Sequence, residues 1–241
     1  MPRRLEAPAD AADTSLAPGA APLDEATSAL IRLATAIAQG EEKQLRRVIA
    51  ECREVEVPAS WVDELLLQSV LMVGYPRALM AATAWRDGGP SAPKSDPDAA
   101  YRRADEWTRR GEETCRMVYG ANYERLRENV RRLHPALDAW MLTEGYGRTL
   151  SRPGLDLRRR ELCTVAQTAV LDTPHQLHSH LRGALHAGAT PAEIEETLAL
   201  ATAGMPARRR GRIQSLWNGV RTRRDDLTDT NGTSSGDADV R

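Results

Sequence analysis

Apolar residues recur at intervals of three and four along most of the chain, the period of helices buried on one face. The clearest stretch runs from Arg158 to Leu200. Its first helix is predicted over about 157–171, with Leu162, Val165, Ala166, Ala169 and Val170 on one side. Thr173 is the predicted N-cap of the next, and Pro174 its first residue, where no N–H is needed. Leu177, Leu181, Ala184 and Leu185 form the stripe of that helix, and Gly188 stops it. Thr190-Pro191-Ala192-Glu193 reads as a capping box and opens a third helix.

The same pattern predicts helices over 24–39 and 41–54, and a third opened by Pro58-Ala59-Ser60. Gly74-Tyr75-Pro76 breaks that one, and a fourth continues to about 85. Residues 86–98 are a linker by their Gly, Pro and Ser content. A charged amphipathic helix is predicted over 99–117, with one or two more in 120–149 and Pro135 near a start. Beyond Gly204-Met205-Pro206 a basic helix runs to about 224. The Ala/Pro-rich 1–23 and the polar 225–241 are expected to be disordered.

The two halves align on each other. Shifting Leu30 onto Leu162 places Ala34 on Ala166, Leu45 on Leu177, Val62 on Ile194 and Leu66 on Leu198 without a gap. Two residues of slippage later, the Gly74 break falls on the Gly204 break. The chain therefore reads as a degenerate first helical repeat (24–85), the linker, and a second repeat (99–224). Under this alignment Glu161 falls on Ala29, and His180 on Val48. Any proton chemistry belongs to the second half, with the first as a packing partner.

Composition narrows the class. Aromatics make up 4% of the 241 residues and Phe is absent, which favours helices over sheets. A net charge of −1 gives no global field for nucleic acid or anionic membrane. The basic run at 208–212 and 221–224 has only Trp217 among it, so it reads as a solvated face or subunit contact. There is no run of about 20 apolar residues and hence no predicted membrane span. The first residues lack an apolar signal core. Cys52, Cys115 and Cys163 are few and widely spaced, which points to free thiols and a cytoplasmic setting.

Four of the five histidines, His175, His178, His180 and His186, fall between Thr173 and Ala187. His180 lies about 60° around the helix from Leu177 and about 40° from Ala184, bordering the buried stripe. Such a histidine is either a core residue with a satisfied hydrogen bond or a general acid–base. Glu161 is either an ordinary first-turn carboxylate or that histidine's partner. His175 and His178 stand three apart, but no acid or thiol joins them at a metal-ligand spacing, so no metal is expected.

The combination Arg160-Glu161-Leu162, Gln176-Leu177, His180, Ala184-Leu185, Gly188-Ala189-Thr190-Pro191 and Glu193-Ile194-Glu195-Glu196 resembles the carboxymuconolactone decarboxylase family, which includes an alkyl hydroperoxidase D branch. Glu144-Gly145-Tyr146-Gly147 and Ser151-Arg152-Pro153-Gly154-Leu155 extend the likeness, which covers roughly 115–206. The resemblance implies an all-α, alkyl hydroperoxidase D-like fold of two repeated antiparallel units. It makes His180 the active-site histidine and Glu161 the acid beside it. Tyr146 stands where the family usually has Trp and would line the pocket. Arg148 and Arg152 would clamp carboxylates, and His178 is a weaker binding candidate.

The branch with peroxidase activity carries a Cys-x-x-Cys pair where this chain has Thr173 and Gln176, so thiol peroxidase chemistry is not expected. The implied function is cofactor-free decarboxylation or proton transfer on a small carboxylate or lactone. The alternatives are a non-catalytic accessory or assembly protein and, further off, a peroxide-handling enzyme using Cys163. Family members form trimers or hexamers, so a homo-oligomer, a dimer or trimer of tandem chains, is expected.

Overall fold

The computed structural model describes residues 23–232, with side chains through Thr222. The termini at 1–22 and 233–241, expected to be disordered, lie outside the described residues. Among those described there is no strand. The helices are α1 (Glu25–Gln39), α2 (Glu42–Glu54), α3 (Ala59–Arg86), α4 (Ala104–Tyr119), α5 (Tyr123–Leu133) and α6 (Pro135–Trp140). A π-helical segment, Met141–Leu150, follows, then α7 (Leu157–Leu171), α8 (Pro174–His186), α9 (Pro191–Thr202) and α10 (Ala207–Gly232).

The core is built on α1 and α7, which pack against each other. Leu30, Ile31, Leu33 and Ile37 of α1 meet Leu162, Val165 and Ala166 of α7 in one fully buried cluster. The remaining helices of each repeat surround this pair, α2 and α3 on α1, and α8 and α9 on α7.

The duplication is visible in the helix bounds. Moving α1 by the offset that takes Leu30 to Leu162 reproduces the bounds of α7, and α2 reproduces α8. α3 and α9 begin at matching positions. The entrances correspond too. Asp24 caps α1 by accepting from the Thr27 N–H, and Asp156 caps α7 by accepting from the Arg159 N–H. Leu23 and Leu155, the residues before these caps, are each 4% exposed. In α3, Gly74 adopts φ 70° and ψ 172°, a conformation open to glycine, and kinks the helix just before Pro76. In the second repeat the break at Gly204-Met205-Pro206 separates α9 from α10. Ala59–Arg86 is long and apolar enough to cross a membrane by length and composition. The kink at Gly74, however, divides it into two shorter helices.

Some elements depart from the sequence expectation. Thr173 does not cap α8 through its side chain; its hydroxyl donates to the Thr168 carbonyl instead. Leu23, expected in the disordered leader, is buried, and its N–H donates to Glu196. α10 runs on to Gly232, past the expected end near 224. The region 120–149 holds α5, α6 and the π segment, whose wider turn brings Ser151 N–H to the Tyr146 carbonyl. π segments of this kind recur at functional sites. The π segment lies against α4 through Gly111 and Gly147, where a Cβ would collide with the backbone carbonyls of Leu142 and Trp107.

Candidate active site

Glu161 sits in the first turns of α7, and its side chain is fully buried. His180 lies midway along α8 and keeps 9% of its side chain accessible. The two helices bring His180 Nδ1 to 2.9 Å from Glu161 Oε2. With the carboxylate ionised, Nδ1 carries the proton and Nε2 keeps a lone pair. Nε2 has no hydrogen-bond partner among the described residues. The approach depends on Gly183. A Cβ there would stand 2.6 Å from Glu161 Oε2 and 2.7 Å from Val118 Cγ1. Glu161 Oε1 is buried without a hydrogen-bond partner among the described residues.

The first repeat holds α7 in place. Arg160, 0% exposed, donates to Glu64 Oε2 at 2.8 Å and to the Leu155 and Arg152 carbonyls. Gln68 of α3 donates to the Arg160 carbonyl and to Thr164. Gln167 donates to Ser69. These buried contacts anchor the turn that carries Glu161, and their polar side chains are paired as burial demands except for Gln167 Oε1, which has no hydrogen-bond partner among the described residues.

Two tyrosines stand beside the pair. Tyr146, from the π segment, is 5% exposed. Burial holds its phenol well above the ordinary value, and the neighbouring Tyr119 and Glu161 push the same way. Tyr119, at the end of α4, meets it edge to face, with ring centroids 6.0 Å apart. Burial pushes the Tyr119 phenol up to about 12. Both therefore remain protonated hydrogen-bond donors at neutral pH.

A hollow of about 490 Å³ opens next to this group, within the range of small-molecule sites. One wall comes from α4 and α5 and the turn between them, with Tyr119, Asn122, Arg125 and Leu126. The facing wall comes from α8, with His175, His178, Ser179 and Arg182. No acidic residue lines it. Two arginines and several imidazoles make it suited to anions. Glu161 and His180 are not on the wall, but Ser179, next to His180 in sequence, is.

The structure thus brings together Glu161, His180 and Tyr146, and places His178 on the wall of the hollow. Arg148, read as a carboxylate clamp, lies elsewhere. It pairs with Glu144, donates to the Asp98 carbonyl and stacks on Trp107 and Tyr101. Arg152, the other clamp, is held by Glu64 and Asp96. Both brace the fold, while the arginines that face the hollow are Arg125 and Arg182. Sequence reading missed Arg125 and Tyr119, because α4 and α5 show only a charged amphipathic pattern with no motif, and passed over Arg182 on the histidine helix α8. Cys163 is fully buried, and burial pushes its thiol up to about 12, which disfavours the thiolate that peroxide chemistry needs. No group of three or more metal-ligating side chains occurs among the described residues.

Comparison with known proteins agrees with this architecture. The carboxymuconolactone decarboxylase family matches residues 2–87 and again 135–212, more than half of the chain. The chain belongs to that family. The two matched segments correspond to a tandem form, and the Cys-x-x-Cys pair of the hydroperoxidase branch is absent. The stretch between them, 88–134, includes α4 and α5, so one wall of the hollow lies outside the family match. The chain is also 35% identical over 104 residues to the uncharacterized 15.0 kDa protein in the nqo9-nqo10 intergenic region of Paracoccus denitrificans. That alignment spans 42% of this chain and 77% of the relative.

Proposed function

We propose that this protein is a cofactor-free lyase or isomerase that moves a proton on a small carboxylated or lactone substrate. One observation carries the reading: a buried Glu161–His180 pair beside a hollow lined by Arg125 and Arg182. The arginines hold the substrate carboxylates. In a decarboxylation, the bond from ring carbon to carboxylate breaks, carbon dioxide leaves, and the electron pair passes into the unsaturated lactone as an enolate. The proton that replaces the carboxylate comes from solvent: Nε2 of the neutral His180 ring takes it up and passes it to carbon, while Glu161 holds the Nδ1 proton. His178 serves as a further cationic contact for the substrate.

An assembled state belongs to the same proposal. α3 leaves Leu67, Leu71, Tyr75 and Leu79 exposed, an apolar stripe that supports packing between copies of this chain. The three unpaired cysteines support a cytoplasmic setting. The stripe also favours a second reading, a scaffold without catalysis.

The test incubates the full chain in D2O with small unsaturated lactones bearing carboxylates, and follows carbon dioxide release and deuterium incorporation. Turnover by the unaltered protein that falls by about 100- to 10,000-fold in His180→Ala is the expected result. Equal turnover in the two proteins would remove His180 from the chemistry, and none in either returns the protein to the scaffold reading.

A further inference from the structure

The two walls of the hollow have different origins. α8 belongs to the second family match, whereas α5 lies in the stretch between the matches. Each wall carries one arginine, Arg125 on α5 and Arg182 on α8, and no carboxylate lines the space between them. Among the described residues neither guanidinium has an ion pair or a side-chain hydrogen bond. Arg127 and Arg131 of the same helix differ, since both pair with the buried Asp138 of α6. Two unpaired cations across an acid-free space oppose the approach of their walls. An anion between them turns that repulsion into attraction.

The rest of α5 fits a wall that moves. Of its 11 residues only the first, Tyr123, is buried, and an element with few buried apolar contacts opens at low cost. Gly120 joins it to α4 with φ 52° and ψ −129°, a conformation open to glycine. Just before this glycine the chain is gripped by α8: His186 Nδ1 lies 2.7 Å from the Val118 carbonyl oxygen. A carbonyl only accepts, so the ring N–H donates. Past the glycine, the ion pairs of α5 run to α4 and α6. Arg116 pairs with Glu124 at 3.0 Å and stacks on the Tyr123 ring, while Arg127 and Arg131 hold Asp138. Arg125, Leu126 and Asn129 line the hollow from one face of α5, at helical spacing.

We propose that α5 is a lid over the hollow, closed by an anionic ligand that bridges Arg125 to Arg182. This rests on the reading above in which these arginines hold substrate carboxylates. The unliganded walls stay apart through like charge, and a bound carboxylate draws the α5 face toward α8. Closure takes water away from the ligand and strengthens the arginine contacts. Gly120 absorbs the backbone change, with α4 fixed behind it by His186.

Malonate, a small dicarboxylate, is the probe, and hydrogen exchange of the full chain is the readout, at ionic strength matched with sodium chloride. With malonate at ten times its Kd, the amides of α5 are expected to exchange up to about tenfold more slowly, the limit for a ligand that binds the closed form alone. The amides of α2 should not respond. Arg125→Gln, at an exposed position without partners, is expected to weaken malonate binding in calorimetry by at least about tenfold and to remove the protection of α5. Arg182→Gln should do the same from the other wall. Malonate binding with unchanged exchange in α5 would overturn the lid and leave the anion site standing. Protection of α5 that persists in either variant would overturn the bridge. No malonate binding by the unaltered protein would overturn both the lid and the reading of the arginines on which it rests.

Discussion

The helix pair α1–α2 and the helix pair α7–α8 share bounds, caps and core positions, yet only one of them holds a polar couple. Ala29 and Val48, both buried, occupy the places of Glu161 and His180. In the first pair Cys52 reaches the Ala29 carbonyl with its thiol, and the places of the acid and the imidazole are apolar. In the second, a carboxylate and an imidazole meet where two packed helices leave room, because residue 183 is Gly. The counterpart of Gly183 is Glu51, which points outward and pairs with Arg32 at 2.5 Å. The lesson is that one scaffold accepts either an apolar or an ionisable interior. The polar version requires a small residue on the facing helix and a buried brace, here Arg160 with Glu64.

The sharpest break in this comparison is His180→Ala set against Val48→Ala. The first abolishes most turnover, by the 100- to 10,000-fold range given above, with a modest effect on folding. The second removes buried methyl groups, costs about 1–3 kcal/mol in denaturant unfolding and leaves turnover intact. Next in size is Gly183→Ala. The added methyl must displace Glu161 or Val118, so unfolding measurements should show a loss of about 1–3 kcal/mol, together with a turnover decrease of at least about tenfold. Glu51→Ala, at the matching place in the first repeat, stays within about 0.5 kcal/mol, since its ion pair is at the surface.

Smaller and equal effects are expected at the two caps. Asp24→Ala and Asp156→Ala each remove one helix N-cap and should cost about 1 kcal/mol. Burial pushes both carboxyls upward, but hydrogen bonds from the Thr27 and Arg159 backbones and from Arg159 outweigh it, so both lie below the ordinary value of 3.8. Their contribution is therefore complete above that value and disappears as the pH falls through the lower folded values. Thermal unfolding of the double variant should lose its part of the acid sensitivity, and unequal losses at the two caps would break the symmetry. The smallest effect is none. Cys52 and Cys163, one in each repeat, both have thiols pushed up to about 12 by burial and should resist alkylation in mildly alkaline buffer until the protein is unfolded.

Much of the scaffold was legible because its signals are local. Pro174, the Thr190–Glu193 box and the Gly74 break each mark a boundary through backbone chemistry, and the apolar period marks the buried face. The Glu161–His180 contact was legible from their places on two consecutive helices, together with the resemblance. The hollow was not, because it forms between α8 and a segment distant in sequence. Arg148 and Arg152 have the chemistry of a carboxylate clamp, but their own chain's acids occupy them, and sequence spacing does not show which carboxylate an arginine meets. Tyr119 carries no motif; only the fold shows that it lines the hollow and packs edge to face on Tyr146.

The central claim is that the second repeat alone contains a working acid–imidazole couple. Nitrogen-15 NMR of the histidine rings in the intact chain tests it most directly. The account predicts that His180 carries its proton on Nδ1, held by Glu161, and that Glu161→Gln abolishes this signature. A ring protonated on Nε2 in the native protein, with no response to Glu161→Gln, would contradict it.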